Sequence, residues 1–554
     1  MAPPDTRSAT TASPRPPWIL LGLAALAAAF VGFGRLLPGY FVGDDFAFVG
    51  RYASFPFSEW PRLFTRSWQS GLFSVDLREI RPLNALAFVL DGRLWGGAPF
   101  GYRLTNLLLH AGSAVLVGAL AWELSRVRRV AIFATLLFAL HPVAVPAVGW
   151  ITGRVDVLST LFLLGAALAL VRNRRRTDAA NGALAASALS FAAALFTKES
   201  ALVFPGLMLV LDYALGTRWR DARTWRPYAA AAAVLALYAA FRFAAFGLAG
   251  PTGIGRGLAA TDESGWWSEL LTRQLRYAAH LAAPAADWLA QWRDAGFALR
   301  GAVFLRIAAL SAALAIGALA VLRWIRTASS ESRRRAVALG LGWYQCTTLP
   351  LMLTYFSARH LYPALAGLAL AAAFLIHEIL PQPRRFAFAA GAALLVLAAL
   401  QQTAVSRWTH AAAVSRSLHQ ATQATVRDVA PSTIVLLDAP DLLDGAFCWS
   451  WAVPHALRPP FTAEPLDARV TLIARPSACA YREDWRARLP RQRFAENQQD
   501  ARLLRVRADG TVIVEVIPAE NVRRAGAWLM TKPRLDADAL WARLVENLTV
   551  QSVP

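Results

Sequence analysis

Apolar stretches long enough to cross a lipid bilayer recur between Trp18 and Leu400 of this chain. About eleven of them can be placed there, each close to the roughly 20 residues that a membrane-spanning helix needs. The chain has 554 residues, of which 56% are hydrophobic, and one globular core cannot bury so much apolar sequence. The sequence therefore predicts a mainly α-helical fold, a polytopic membrane bundle of about 11 transmembrane helices.

The change in composition along the chain predicts three parts. Residues 1–16, rich in Pro, Thr, Ser and Ala, are predicted to be a disordered cytoplasmic tail. Residues 17–404 form the predicted transmembrane domain, with two long outer loops at 38–101 and 248–300. Within these loops, helices that lie along the membrane surface are predicted at Pro82 to Leu94 and from Trp266 to Leu271. Residues 405–554 have shorter apolar runs and more charges, which indicates a separate extracytoplasmic domain. The predicted spans are 18–33, 102–123, 130–148, 154–171, 180–196, 200–215, 227–247, 302–322, 336–356, 361–380 and 386–404.

The positively charged residues are distributed in a pattern set by the predicted spans. A formal net charge of +21 would suggest a nucleic-acid partner in a soluble protein, but here much of the arginine lies in short loops after every second span. Because such loops face the cytoplasm, the N-terminus is predicted inside, with the 38–101 loop and the C-terminal domain outside. No nucleic-acid partner is expected. The first span also fits a signal peptide, and that alternative stays open.

The C-terminal 150 or so residues read as a small β-rich or α+β domain. Three β-branched runs bounded by Pro, Asp or Gly predict strands at Thr433–Leu437, Val470–Ile473 and Thr511–Val516. Cys448 and Cys479 both fall in this domain, and the sequence leaves open whether they form a disulfide.

The pair Asp44-Asp45 follows the first span and is the first candidate for chemistry. Carboxylates at the mouth of a membrane bundle are costly to keep unless they bind something. Two adjacent carboxyl groups can supply a base, ligands for a divalent metal ion, or both. A helix N-cap or a solvated loop is the structural alternative.

Further ionisable side chains occur near the ends of several predicted spans on the same side. Asn106 and His110 are four residues apart and share one helix face, and Lys198 stands out because Lys532 is the only other lysine. Helix-to-helix hydrogen bonds and a hairpin turn are the structural alternatives for these positions. The other segments with such side chains are His141-Pro142, Gly153 to Asp156, Lys198-Glu199 and Arg359 to Pro363.

Taken in order, these motifs resemble the membrane part of a known family, the transmembrane and tetratricopeptide-repeat O-mannosyltransferases. The resemblance covers roughly residues 17 to 400, and it rests on the order of the motifs because none is specific alone. The motifs are Arg81-Pro82-Leu83, Tyr102 to His110, His141-Pro142, Gly153-Arg154-Val155-Asp156, Lys198-Glu199 and Arg359-His360-Leu361-Tyr362-Pro363. The wider group is the GT-C glycosyltransferases. The tetratricopeptide repeats of that family are missing here, so its acceptor cannot be carried over.

This resemblance implies a GT-C type bundle and a catalytic carboxylate at Asp44 or Asp45. It implies a polyprenyl-phosphate-linked sugar as donor, and the acceptor hydroxyl of a protein, glycan or lipid is left open. We predict a single inverting displacement at the outer face of a bacterial inner membrane, with a divalent metal on Asp44 and Asp45 as an open alternative. The residues predicted to bind the donor phosphate or sugar are Arg81, His110, His141, Arg154, Asp156, Lys198, Glu199, Arg359 and Tyr362.

Two other functions remain as alternatives. A transporter or lipid flippase would bind an anionic head group with these same charges, although such proteins place sites near mid-membrane and often contain internal repeats. Neither feature is clear in the sequence. An interaction protein that uses the bundle as an anchor would need far fewer spans.

Overall fold

A computed structural model of the chain describes residues 17–175, 180–247, 266–282, 319, 321–353, 356–507 and 509–549. The predicted tail 1–16 and most of the predicted span 302–322 lie outside these residues. The same holds for the predicted loop 248–300 except residues 266–282, which form a helix as expected.

Helices make up most of the described chain, and this confirms the predicted fold class in outline. In the N-terminal half they are Trp18–Phe33, Asp45–Tyr52, Arg62–Thr65, Pro82–Trp95, Pro99–Ser125, Arg128–Leu140, Val145–Gly149, Arg154–Arg175, Ala180–Thr197, Phe204–Leu215 and Ala222–Phe246. They continue as Trp266–Ala282, Ser330–Val337, Trp343–Thr348, Tyr362–Ile379, Pro383–Asp428, Arg491–Ala495, Ala519–Met530 and Ala537–Thr549.

The chain is a multi-pass membrane protein, but the predicted count of about eleven spans is not confirmed. Among the described residues, 6 helices are long and apolar enough to cross a membrane, or 7 if the pair Arg128–Leu140 and Pro142–Gly149, bent by 50°, is one span. The predicted span 200–215 begins with a 3₁₀ turn and leaves a helix of 12 residues. The predicted span 336–356 is interrupted by a π-helical turn at Ala338–Gly342.

The core of the bundle is the helix Arg154–Arg175, which packs against Ala180–Thr197 and Pro99–Ser125. Small residues allow the closest approaches. A Cβ atom on Gly118 would lie 2.0 Å from Thr135 Oγ1, so the neighbouring helix fits there only because the residue is glycine.

The 38–101 loop is a folded layer over one end of the bundle, called the loop end below. The predicted helix at Pro82 to Leu94 is confirmed as Pro82–Trp95, with its proline at the first helical position. This helix buries Phe88 and packs against the helix Asp45–Tyr52. The two aspartates therefore lie in ordered structure.

The C-terminal domain is α+β. Its main sheet has the strand order β4-β1-β5-β6, with β1 (Ile434–Asp438) parallel to both β4 (Thr471–Ala474) and β5 (Ala501–Val506). β6 (Val512–Ile517) is antiparallel to β5. The three predicted strands are confirmed, whereas β5 was not predicted. A short hairpin is formed by β2 (Leu442–Leu443) and β3 (Ala446–Phe447).

The C-terminal domain packs directly on the loop end of the bundle. The 46-residue helix Pro383–Asp428 would be about 69 Å long, so it is long enough to run from the bundle into the domain. Ser415 Oγ donates to the carbonyl of Phe41 (2.7 Å) and accepts from Trp449 Nε1 (3.0 Å). Cys448 and Cys479 are free thiols, so the disulfide left open by the sequence is not formed.

Candidate active site

The loop that carries the two aspartates is held by the C-terminal domain. Gly43 adopts a positive φ of 55°, which favours glycine. Its backbone N–H donates to the carbonyl of Cys448 at 2.7 Å. The turn places Asp44 just before the helix Asp45–Tyr52.

Asp45 has a fully bonded carboxylate. Its Oδ2 accepts from the backbone N–H of Val42 (3.1 Å), and its Oδ1 accepts from both the backbone N–H (2.9 Å) and the hydroxyl (2.8 Å) of Thr152. The side chain is completely buried. Asp45 thus ties its loop to the turn that precedes the helix Arg154–Arg175.

Asp44 is also buried, but its carboxylate is not fully used. Its Oδ1 atom has no hydrogen-bond partner in the described part of the chain. Burial and the neighbouring Asp45 carboxylate raise the pKa of Asp44 well above its usual value, although the positive charge of Arg359 opposes this shift. A buried carboxylate with a free oxygen and a raised pKa is suited to accept a proton from a substrate.

A carboxylate between two cations lies at the same end of the bundle. Asp156 Oδ1 pairs with Lys198 Nζ, and Asp156 Oδ2 accepts from Arg359 at 2.7 Å. The Arg359 guanidinium also lies over the ring of Trp150, 5.0 Å from its centroid. A narrow cavity borders Asp156 and Lys198 and is lined further by Thr347, among others. Asp156 therefore holds the two cations together, with Lys198 at the edge of this small cavity.

A second triad has the opposite arrangement, with one cation between two carboxylates. Arg81 forms a bidentate pair with Glu199 (2.6 and 3.1 Å) and contacts Glu79 Oε1 at 2.9 Å. Glu79 also accepts from Trp68 Nε1 (2.9 Å) and from the side-chain amide of Gln69 (2.5 Å). The peptide bond between Lys198 and Glu199 joins the two triads.

Three other predicted donor-binding residues have structural partners inside the bundle. His110 Nδ1 lies 2.7 Å from the hydroxyl of Tyr362, and its Nε2 lies 3.2 Å from the carbonyl of Ala139. His141 Nδ1 accepts from the backbone N–H of Val143 at 3.3 Å and caps a 3₁₀ turn. Both imidazole rings therefore have hydrogen-bond partners within the protein, so neither ring needs a ligand to explain its position.

Arg154 is completely buried and engaged by neighbouring residues. Its guanidinium pairs with Asp91 (2.6 Å), donates to Asn106 Oδ1 (2.7 Å) and lies over the ring of Phe88, 4.8 Å from the centroid. It also donates to the carbonyl of Tyr102 at 2.9 Å. These partners balance its charge, and a role in donor binding stays a prediction.

The aspartate pair does not fit a metal centre. The described residues contain no group of three or more His, Cys, Asp or Glu side chains arranged to hold a metal ion. Both carboxylate oxygens of Asp45 already accept from Val42 or Thr152. This leaves Asp44 as a single ligand, whereas divalent cations in proteins take several oxygen ligands.

Sequence analysis missed two residues of this site, Glu79 and Thr152. Glu79 lies two residues before Arg81, the first residue of the motif Arg81-Pro82-Leu83. This short distance in sequence was the available signal. Thr152 immediately precedes the Gly153 to Asp156 motif, but a threonine in a turn carries no signal for its bond to Asp45, 107 positions away.

Comparisons with known proteins bear on this site. No protein-family model matches the chain. The protein O-mannosyl-transferase TMTC1 of Mus musculus is 33% identical over 214 residues, which are 36% of this chain and 23% of the relative. The protein O-mannosyl-transferase TMTC4 of Homo sapiens is 32% identical over 211 residues, 34% of this chain and 28% of the relative. The matches thus span about a quarter of the length of these curated relatives.

The chain is also similar to several solved structures, two of which are described below. The oligosaccharyltransferase of Archaeoglobus fulgidus, in a complex with Zn and sulfate, has a TM-score of 0.44 and 14% identity, covering 82% of this chain and 62% of that one. ArnT from Cupriavidus metallidurans bound to undecaprenyl phosphate has a TM-score of 0.41 and 14% identity, covering 88% of this chain and 93% of that one. The predicted resemblance to O-mannosyltransferases is confirmed by the sequence matches, over about a third of the chain.

Proposed function

We propose that the chain is a membrane glycosyltransferase that moves a sugar from a polyprenyl-phosphate-linked donor to an acceptor hydroxyl. The reaction takes place at the loop end of the bundle, which we assign to the outer face of a bacterial inner membrane. In this orientation the N-terminus is cytoplasmic, and the short arginine-rich loops follow the positive-inside rule.

The single observation that carries this proposal is the state of Asp44. A buried carboxylate oxygen without a hydrogen-bond partner costs free energy, and a catalytic role is one of the reasons for which natural structures keep such a group. Asp45, one residue away, is fully bonded. The contrast supports Asp44 as the general base and Asp45 as the residue that holds its loop.

The two cations around Asp156 suit the leaving group. A polyprenyl phosphate leaves as an anion, so it needs positive charge more than a proton donor. Lys198 and Arg359 supply that charge, and Arg359 is close enough to affect the pKa of Asp44 electrostatically. The proposal therefore places the base and the cations in one site.

The names of the sequence relatives support the reaction class. Those relatives are O-mannosyl-transferases, which makes mannose the first sugar to test. The match covers a minor part of each relative. The donor and the acceptor named here are therefore part of the proposal and are not taken from the relatives.

In the proposed step the acceptor oxygen forms a bond to the anomeric carbon while the bond from that carbon to the phosphate oxygen breaks. The acceptor proton moves to Asp44, and the electron pair of the broken bond stays on the phosphate beside Lys198 and Arg359. Attack from the side opposite the phosphate inverts the anomeric configuration. Asp44 then loses its proton to solvent.

Donor turnover by the purified full chain tests the proposal. We expect the protein in neutral detergent to release polyprenyl phosphate from polyprenyl-phosphate mannose when a hydroxyl acceptor is present, and to do so equally with and without EDTA. Glucose, galactose and aminoarabinose donors define sugar preference. Folded protein that turns over none of the four donors would contradict the proposed function.

The pH dependence of transfer should report the unusual Asp44 carboxyl group. Because the base must be ionised, kcat/KM is expected to fall as the pH drops through the pKa of Asp44. Burial and Asp45 raise that pKa, so the midpoint should lie clearly above about 4, the usual value for an aspartate. A pH profile that stays flat down to pH about 4 would contradict the assignment of Asp44 as base.

A further inference from the structure

A cavity of about 310 Å³ lies in the 38–101 loop, apart from the residues assigned to the reaction. Three arginines line it, together with one carboxylate and several aromatic side chains. The lining residues that matter here are Arg51, Glu59, Arg62, Arg66, Phe55 and Trp68.

The cavity carries uncompensated positive charge. Arg62 pairs with Glu59, whereas Arg51 and Arg66 are exposed arginines whose side chains make no ion pair or hydrogen bond with other described residues. In the candidate active site, by contrast, Arg81 and Arg359 both contact carboxylates. Two guanidinium groups in one concave site favour a ligand with a phosphate or carboxylate.

One side chain, Trp68, links the cavity to the candidate active site. Trp68 lines it, donates through Nε1 to Glu79 (2.9 Å) and lies under the guanidinium of Arg81, 5.4 Å from the ring centroid. Arg51 follows Asp44 by seven residues, along the helix Asp45–Tyr52. Two helical turns place these positions on the same face, about 10 Å apart. A ligand would have to be about 10 Å long to span these two positions.

The cavity also lies near the membrane surface. Phe64, in the helix Arg62–Thr65, contacts Phe196 and Phe241 near one end of two bundle helices, with ring centroids 6.0 and 6.3 Å apart. Phe57 and Trp60 beside the cavity are exposed by 51% and 47%. Exposed aromatic side chains of this kind prefer the headgroup region of a bilayer.

We propose that this cavity binds the phosphate of a lipid-borne acceptor, which holds the acceptor hydroxyl toward Asp44. The proposal rests on the proposed function and adds the class of acceptor. Arg51 and Arg66 bind the phosphate at the membrane surface. The length of two helical turns separates this phosphate from the base, Asp44. The acceptor is thereby an anionic lipid or a phosphate-bearing glycolipid.

Binding of short-chain lipids to the full chain in neutral detergent tests this site without requiring turnover. Isothermal titration calorimetry would compare dihexanoyl phosphatidic acid with dihexanoyl phosphatidylcholine, inorganic phosphate and hexaglutamate. We expect phosphatidic acid to bind most tightly. The Arg51→Gln/Arg66→Gln variant should weaken that binding by about tenfold or more, because hydrogen bonds to charged groups are lost.

The matched control is Arg482→Gln/Arg507→Gln, which removes two exposed arginines of the C-terminal domain and should leave binding unchanged. Equal binding by the Arg51→Gln/Arg66→Gln variant would overturn the proposal. Tighter binding of hexaglutamate would assign the cavity to an acidic peptide, and phosphate alone binding as tightly as the lipid would exclude lipid recognition. Arginine-dependent lipid binding in a chain that turns over no donor would refute the acceptor role.

Discussion

Asp44→Asn is expected to lower the rate of sugar transfer by about 10² to 10⁴-fold, the usual contribution of a general base. The amide cannot accept the acceptor proton. Because Asp44 Oδ1 has no partner among the described residues, the substitution breaks no hydrogen bond at that atom, and the protein should fold as before. The measurement is kcat for transfer from polyprenyl-phosphate mannose, together with the thermal unfolding midpoint in detergent.

Asp45→Asn separates the roles of the two aspartates. Its amide N–H₂ would face a backbone N–H of Val42 or Thr152, so a buried donor would lose its acceptor, which costs about 1 to 3 kcal/mol. We expect this variant to unfold at a lower temperature. Asp444→Asn is the matched control because that exposed residue has a φ of 49°, which asparagine tolerates. Wild-type transfer by Asp44→Asn would rule out Asp44 as the base.

Many of the membrane-spanning helices could be predicted from hydropathy. The turns that interrupt other predicted spans could not. The helices Pro99–Ser125 and Arg154–Arg175 each contain an 18-residue stretch of high mean hydropathy, 1.6 and 1.9, so hydropathy and length identify them. The π-helical turn at Ala338–Gly342 depends on packing against neighbouring helices. A Cβ on Gly342 would meet Val210 at 3.2 Å, a contact that hydropathy does not report.

The candidate site was predictable as a set of residues but not as a set of roles. The motif order identified Asp156, Lys198 and Arg359, which the structure brings together. It could not distinguish Asp44 from Asp45, because the backbone bonds from Val42 and Thr152 that fix the Asp45 carboxylate are not visible in the sequence. Roles of this kind depend on tertiary contacts that one sequence does not show.

The two charged triads explain why so many ionisable groups can be buried at one end of a membrane bundle. Arg81 balances two carboxylates, and Asp156 balances two cations. The network is neutral as a whole, since three cations face three carboxylates. An incoming donor phosphate adds a negative charge beside Lys198 and Arg359, so in the proposed function it competes with Asp156 for them.

Lys198→Met is expected to remove both stability and activity. Breaking a buried ion pair leaves the remaining charge uncompensated and costs about 3 to 5 kcal/mol, with the lower value expected because Arg359 still contacts Asp156. Loss of one group that stabilises the leaving phosphate should reduce kcat by about 10² to 10³-fold. The measurements are thermal unfolding and transfer per folded molecule. Lys532→Met is the matched control, since it removes the only other lysine, an exposed one.

The double variant Asp156→Asn/Lys198→Met distinguishes the two effects of Lys198. Because both members of the pair are gone, its loss of stability should be smaller than the sum of the two single losses. Its transfer rate should stay as low as that of Lys198→Met, because the cation for the phosphate is still missing. Recovery of transfer together with stability would show that Lys198 acts only by neutralising Asp156, and Arg359 would then be left as the cation that receives the leaving phosphate.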